Sequence, residues 1–331
     1  MKIPEFARLN LRGAVLSLAL VGAMVGIPSA AADYPDSPIS VYLPLGPGGA
    51  TDNLARIATN KAVEELGQRF SIEHRPGAGG SVASNTVANA SSADGYTLLF
   101  ANFATHAVTP SLFASLPYDP IEDFSPISLL ASQAHLVLVP TDSGIESLED
   151  LIAAAEDDTL RFASSGIGSP LHLAAEFFAT TLGVEMEHVP YESSAPALQD
   201  LIAGRVDFMF DNISSGKGFV ESGDLHAVMV TSKERSTLLP DVPTAVELGL
   251  EDFETYGWWG FMAPAGTSDA IVEKLSGVFQ WAMQSDDVVE TLESQGYVPI
   301  GSTPQEFETH VTDEIAKWAT VLEAAGLKGS Q

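Results

Sequence analysis

The segment Leu43-Pro44-Leu45-Gly46-Pro47-Gly48-Gly49-Ala50-Thr51-Asp52 is the strongest constraint on how this chain can fold. It lies between an apolar run, Ile39–Leu43, and a helical pattern that opens near Thr51 and continues through Asn53-Leu54-Ala55-Arg56-Ile57-Ala58. Two prolines and three glycines leave room only for a tight turn with bare backbone. A strand that turns sharply into a helix begins a βαβ unit. The N–H groups at such a helix start have no partner in the helix and form a site for a small anion.

The same order recurs along the chain. Phe70–His74 reads as a strand, followed by the turn Arg75-Pro76-Gly77-Ala78-Gly79-Gly80-Ser81 and a helix through Val82–Ala90. Asp94-Gly95 is a turn and Tyr96–Ala101 a buried strand. Leu129–Leu130 and His135–Pro140 read as an extended crossing into a second block. There Ser147 caps a helix, Leu160–Ala163 is a strand, and Ser164–Pro170 turns into a helix over Leu171–Thr181. A short strand ending at Val189, a helix Ala195–Ala203 stopped at Gly204, and strands Val206–Phe210 and Leu225–Val230 follow. Trp258–Ala263 reads as the crossing back, and Asp269–Leu327 as mostly helical. With 331 residues, the chain is long enough for two domains. The expected architecture is α/β: two doubly wound lobes joined by two crossover segments, a hinged clamshell. Residues 33–130 with 256–331 form lobe I, and 131–255 form lobe II.

The N-terminus carries an export leader. Lys2, Arg8 and Arg12 precede an apolar stretch, Gly13–Ile27, too short to span a membrane comfortably. Small residues follow, with cleavage expected near Ala32, so that 1–32 is a signal peptide. The chain has no cysteine, which excludes both a disulfide and a lipid-modified cysteine anchor. The formal charge of −29 becomes about −31 once the leader's net +2 is removed, since Lys2, Arg8 and Arg12 outweigh Glu5. Such a surface excludes nucleic acid and anionic membranes as partners. It also suits a high-salt setting, where repulsion is screened within roughly 3 Å at 1 M.

Ligands of parallel sheets sit at the carboxyl ends of strands. Four segments meet that condition: Gly46–Asp52 and Asn102–His106 on one lobe, Ser164–Ser169 and Asp211–Asn212 on the other. The candidate binding residues in them are Gly48, Gly49, Thr51, Asp52, Asn102, Thr105, Ser164, Ser165, Gly168, Ser169 and Asp211. Facing helix N-termini across a cleft would grip a carboxylate. For any one of the glycines, turn geometry is an equal explanation. Asp52 either sets its loop and helix or accepts a ligand hydrogen bond, the first being favoured. Ser169 is explained by helix capping alone, and His172 by packing.

Enzyme signatures are missing. Neither glycine cluster is followed by Gly-Lys-Ser/Thr, and Gly77–Ser81 lacks the spacing of a dinucleotide fingerprint. No G-x-S-x-G elbow surrounds Ser164 or Ser165. The seven histidines show no metal-ligand spacing. No cofactor and no metal are expected.

These residues together resemble the solute-binding proteins of tripartite tricarboxylate transporters, the Bug family of periplasmic receptors. The marks are Pro44-x-x-Pro47-Gly48-Gly49-x-x-Asp52-x-x-Ala55-Arg56, Arg75-Pro76-Gly77-Ala78-Gly79-Gly80 and Asp94-Gly95-Tyr96-Thr97-Leu98-Leu99. Asp123-Phe124-x-Pro126, His188-Val189-Pro190-Tyr191 and Gly204-x-Val206-Asp207 continue the series. Leu239-Pro240-Asp241-Val242-Pro243-Thr244 and Ala263-Pro264-Ala265-Gly266-Thr267 complete it. The resemblance spans nearly the whole chain after the leader. It implies a type II-like periplasmic-binding-protein clamshell that closes on a small organic carboxylate, partly through water, and hands it to membrane permease subunits. It implies a monomer in the periplasm. Two departures stand out. Leu45 occupies a position where an aromatic residue is common, which makes it a candidate pocket-wall residue, and Glu192-Ser193 replaces the usual Lys-Gly, read here as part of the acidic surface. An exported α/β enzyme acting on a carboxylated substrate and a receptor for a membrane kinase are the opposing readings. Dicarboxylates, tricarboxylates, acidic amino acids and aromatic acids all remain open as ligands.

Overall fold

The computed structural model describes residues 34–251 and 253–330; the expected leader, 1–32, lies outside the described residues. The chain begins as alternating strands and helices: β1 (Ile39–Leu43), α1 (Ala50–Leu66), β2 (Phe70–His74), α2 (Ser81–Ala88), β3 (Thr97–Asn102) and the short α3 (Thr109–Leu112). A 17-residue strand, β4 (Phe124–Pro140), leads into α4 (Leu148–Asp157), β5 (Arg161–Ser164), α5 (Pro170–Leu182), β6 (Glu187–Pro190) and α6 (Ser194–Ile202). Then come β7 (Phe208–Asn212), α7 (Ile213–Ser222), β8 (Leu225–Val230) and β9 (Tyr256–Pro264). The tail is α8 (Asp269–Gln284), α9 (Asp286–Ser294), β10 (Val298–Pro299) and α10 (Pro304–Ala324). None of the described helices is long and apolar enough to cross a membrane.

The strands form one mixed sheet in the order β2-β1-β3-β9-β4-β7-β5-β6, with β8 and β10 also pairing to β4. β1 runs parallel to β2 and β3, and β5 parallel to β6 and β7, as βαβ units require. β9 and β4 are antiparallel to their neighbours. β4 is shared between the two halves of the sheet. Its residues 124–134 pair with β9, while His135–Pro140 pair with β7 and β8.

Two expectations change here. The crossing read as Leu129–Leu130 plus His135–Pro140 is one continuous strand, because Ser132, Gln133 and Ala134 between them also pair with β9. β9 is a ladder strand between β3 and β4 rather than a bare crossing, and its residues are almost all buried. A continuous apolar run is what a strand buried on both faces looks like.

Each half has its own core. On one side Val41, Leu98, Phe100 and Phe261 pack against α1 and α8. On the other side of that half, α10 lays Phe307, Val311 and Trp318 over Phe103 and Trp258. In the second half Phe162, Phe178, Phe208, Phe210 and Phe253 form an aromatic cluster under α4 and α5. Each such buried aromatic contributes roughly 2–3 kcal/mol of hydrophobic stabilisation. α10 ties the halves together, since Trp318 meets Phe177 of α5 edge-on at 6.0 Å. α10 starts on a capping box, Thr303 with Glu306, and α4 on Ser147, whose Oγ accepts the Asp150 N–H.

Candidate functional site

A cavity of about 470 Å³ opens where loops from both halves meet. Gly46, Gly49, Ala50 and Thr51 come from the β1–α1 turn; Asn102, Phe103 and Ala104 follow β3; residues between Ser165 and Leu171 follow β5. Four helix starts reach its wall: α1 at Gly49, α5 at Ser169, α6 at Ser193 and α7 at Asn212. In α1, α6 and α7 no side chain caps the first turn. Their backbone donors are therefore free, and each helix end carries a partial positive charge of about half an electron. Among the described residues no Lys, Arg or His lines the cavity. An anion placed there would meet backbone and neutral side chains.

The loop before α1 is shaped from behind. Gly48 sits at φ +86, a left-handed conformation that glycine adopts at no steric cost. Its N–H donates to Asp52 Oδ2 at 3.0 Å. Asp52 also pairs with Arg56 at 3.0 Å and approaches His74 Nε2 at 3.3 Å. Burial works to raise the Asp52 carboxyl, but the Arg56 guanidinium and the Gly48 N–H outweigh it and hold it below the usual range. Gly48 and Asp52 line a neighbouring hollow instead of this cavity, so Asp52 sets the loop, the role favoured from sequence.

The second jaw is held by two stacked imidazoles. His188 and His172 lie face to face with ring centres 3.9 Å apart, and His188 also stacks on Phe162. His188 Nε2 is 2.7 Å from Ser164 Oγ, which in turn accepts the Gly166 N–H at 3.1 Å. His172 Nδ1 accepts the Gly168 N–H at 3.1 Å, a role open only to an unprotonated nitrogen. Burial, reinforced by His172, lowers His188 to about 4, so that ring serves as a neutral hydrogen-bonding prop. Ser164 is fully buried and outside the cavity wall. The Ser164–His188 pair anchors the loop.

Of the residues expected at the site, Leu45, Gly49, Thr51, Asn102, Ser165, Gly168 and Ser169 line the cavity. Gly48, Asp52, Thr105, Ser164 and Asp211 stand behind it. Thr105 is fully buried and closes the turn after β3: its N–H donates to Asn102 Oδ1 at 3.1 Å, and its Oγ1 accepts the Asn102 N–H at 3.0 Å. Asp211, also fully buried, accepts from Ser194 Oγ and from the Asn212 N–H, each at 2.8 Å, and burial pushes it up to about 6. Ser169 Oγ caps α5 by accepting the His172 N–H at 3.2 Å.

Several wall residues were not foreseen. Trp258 and Trp259 form part of the wall from β9. Both indole N–H groups are engaged elsewhere, Trp258 with Glu314 at 3.2 Å and Trp259 with Thr51 Oγ1 at 2.8 Å. Their signal was two adjacent tryptophans between glycines in an apolar, aromatic-rich run. Glu192 and Ser193, read as acidic surface, contribute to the cavity wall together with Ser194. Leu45 and Ile167, from opposite jaws, remain 49% and 59% exposed at its rim. Among the described residues no group of three His, Cys, Asp or Glu could hold a metal ion.

Comparison with known proteins places this architecture. Residues 54–327 match the family described as "Tripartite tricarboxylate transporter family receptor". An R. palustris protein solved with adipate is 36% identical, with a TM-score of 0.79 over 89% of this chain and 99% of that one. MatC from Rhodopseudomonas palustris, with bound malate, is 34% identical, with a TM-score of 0.76 over 87% and 100%. The periplasmic binding protein BugD is 30% identical, with a TM-score of 0.77 over 89% and 99%.

Proposed function

This chain belongs to the tripartite tricarboxylate transporter receptor family, and we propose on that footing that it captures a small organic carboxylate in the periplasm and delivers it to the membrane permease subunits. The observation that carries the reading is the cavity between the halves of the sheet. Among the described residues it is lined by four helix starts and no cationic side chain, and that is the donor set for a carboxylate. Adipate and malate in the two R. palustris relatives are both carboxylates, which supports the same class of ligand.

In mechanism, residues 33–130 with 256–331 act as one lobe and 131–255 as the other, hinged where β4 passes between them. The ligand carboxylate bridges the α1 start on lobe I and the Ser165–Ser169 loop on lobe II, with Leu45 at the rim. Closure is favoured by as much as the ligand binds the closed state better than the open one. The permease reads that closed form. The leader, 1–32, directs export, and the receptor acts as a monomer. Mass spectrometry of ligand released from the purified protein, followed by calorimetry with the compound found, tests the reading. A carboxylate bound at one per chain supports it. Chemical turnover of that compound, or no binding by any carboxylate, overturns it.

A further inference from the structure

Gln133 lies fully buried in the apolar run of β4. Burying an amide costs free energy unless its two ends are hydrogen-bonded. Here both are. Its Nε2 donates to the Gln295 carbonyl at 2.9 Å, and its Oε1 accepts from Ser214 Oγ at 3.3 Å. A backbone carbonyl can only accept, so the amide has one orientation.

The two partners come from opposite halves of the sheet. Gln295 closes α9, and its side-chain Oε1 accepts from Asn53 Nδ2 of α1 at 2.5 Å. Ser214 stands in the first turn of α7. Gln133 itself pairs with Gly257 of β9, just before β4 changes partner at His135. A chain Asn53–Gln295–Gln133–Ser214 therefore runs from the opening of α1, through the crossing strand, to the opening of α7. Both openings reach the cavity, α1 through Gly49, Ala50 and Thr51, and α7 through Asn212. Packing tightens the same contact. Gly296, at φ +79, carries the chain from α9 toward β10, and a Cβ there would meet Ile213 Cγ2 at 3.0 Å and Gln133 Nε2 at 3.4 Å. The first residue of α7 thus rests on this turn.

We propose that Gln133 is the pin that sets the angle between the two lobes, holding the start of α7 at a fixed distance from the start of α1. The inference rests on the reading of the two halves as hinged lobes around a carboxylate and adds what fixes their spacing. A carboxylate that bridges the walls needs donors at one separation, and a pin that holds it beforehand leaves less ordering to the binding step. Gln133 does not line the cavity, so it is a positioning residue.

The test reads the distance between the lobes in ligand-free protein. The chain has no cysteine, so Glu65→Cys near the end of α1 and Asp157→Cys at the end of α4, both exposed, place one spin label on each lobe. Pulsed electron paramagnetic resonance should give a single narrow distance distribution. Gln133→Met keeps the side-chain length and removes both hydrogen bonds, and it should displace and broaden that distribution. Ser214→Ala, at an exposed position, breaks only the bond between the halves. It should lower the population at the wild-type distance, relative to all others, by about fivefold, the worth of one neutral hydrogen bond. A Ser214→Ala distribution that matches the wild type overturns the inference, whether or not Gln133→Met folds. No ligand enters the measurement, so that result leaves carboxylate capture standing, and failure to bind any carboxylate leaves the pin standing.

Discussion

Trp259 Nε1 donates to Thr51 Oγ1 across 2.8 Å, joining a strand in the middle of the sheet to the first turn of α1. Both side chains are more than nine-tenths buried, yet both contribute to the cavity wall. The bond leaves the Thr51 proton to be donated elsewhere. Thr51→Val keeps the shape and removes that donor, so affinity should fall by about tenfold, the equivalent of one hydrogen bond to a charged group. Trp259→Phe should also weaken binding, because Thr51 is then free to turn. Calorimetry on both variants checks this, with the thermal midpoint as a control for folding. Unchanged affinity in Thr51→Val would exclude a ligand contact at that hydroxyl.

Adding a side chain separates the two glycines before α1. Gly49 has φ −89, and a Cβ added there would meet only open space, so Gly49→Val should fold as the wild type does. Its side chain would stand between the ligand and the α1 donors, and binding should drop at least tenfold. Gly48→Val, at φ +86, should cost stability as well, by about 1–2 kcal/mol. Urea unfolding beside ligand titration separates the effects. Full affinity in a folded Gly49→Val protein would remove the backbone cradle from the mechanism.

Glu314 is 6% exposed and receives both Trp258 Nε1 and Trp318 Nε1 on one oxygen, at 3.2 and 3.1 Å. Lys317 lies 3.9 Å from its other oxygen and donates to the Glu254 carbonyl. Burial raises the Glu314 carboxyl, while Lys317 and the two indoles oppose the rise. Glu314→Leu strands two indole N–H groups and unpairs a half-buried ammonium, so it should destabilise by about 3 kcal/mol or more. Glu314→Gln keeps an acceptor and should cost less than half as much. Trp258 fluorescence should shift in the Leu variant, since its ring borders the cavity.

Acid should unfold this protein through its histidines. Burial lowers His106 and His135 to about 3, and His188 and His310 to about 4, against an ordinary value of 6.5. With the folded values depressed, the unfolded chain binds more protons between 6.5 and the folded values. The contribution of these four rings is therefore complete above 6.5 and is lost as pH falls toward about 4, a loss that Asp211, raised to about 6, partly offsets because it takes up its proton in the folded state. Urea midpoints should decline across that window. The ring resonances of these four histidines should stay in their neutral positions while the protein remains folded above pH about 5. Any of them titrating near 6.5 in the folded state would contradict the burial argument for that residue.

What was legible in the sequence was local. β1 ends at Leu43 and β2 spans Phe70–His74 as expected, because apolar runs bounded by proline and glycine have one reading. α5 starts beside Ser169 and α6 stops near Gly204 for similar reasons. The length of β4 was not legible, since Ser132 and Gln133 look like an interruption until both pair with β9 and Gln133 is buried. The short helices after Asn102 were missed because no cap or amphipathic period announces them. At the site, turn chemistry pointed to residues that reach the cavity, Gly49 and Ser169, and to residues that hold them from behind, Asp52 and Ser164. It could not separate the two groups, because the partners that pull Asp52 and Ser164 away, His74 and His188, are distant in sequence. Glu192 is exposed, as expected of surface, and also borders the cavity, which its local sequence does not announce.

Gly168 sits at φ +75 on the second jaw, close against α3. A Cβ there would meet Leu112 Cδ2 of α3 at 2.7 Å. Gly168→Ala therefore carries two penalties: a left-handed alanine, about 1 kcal/mol, and a wedge between the jaws. If the proposed closure brings these two elements together, the wedge opposes it, and affinity should fall several-fold beyond what the loss of stability predicts. Leu112→Ala in the same chain removes the wedge but not the backbone penalty. The double variant should regain part of the affinity and none of the stability. Small-angle scattering with saturating ligand should show the single variant more open than the double. If Leu112→Ala restores nothing, the cost lies wholly in the loop backbone, and the contact between α3 and the Ser165–Ser169 loop has no part in closure.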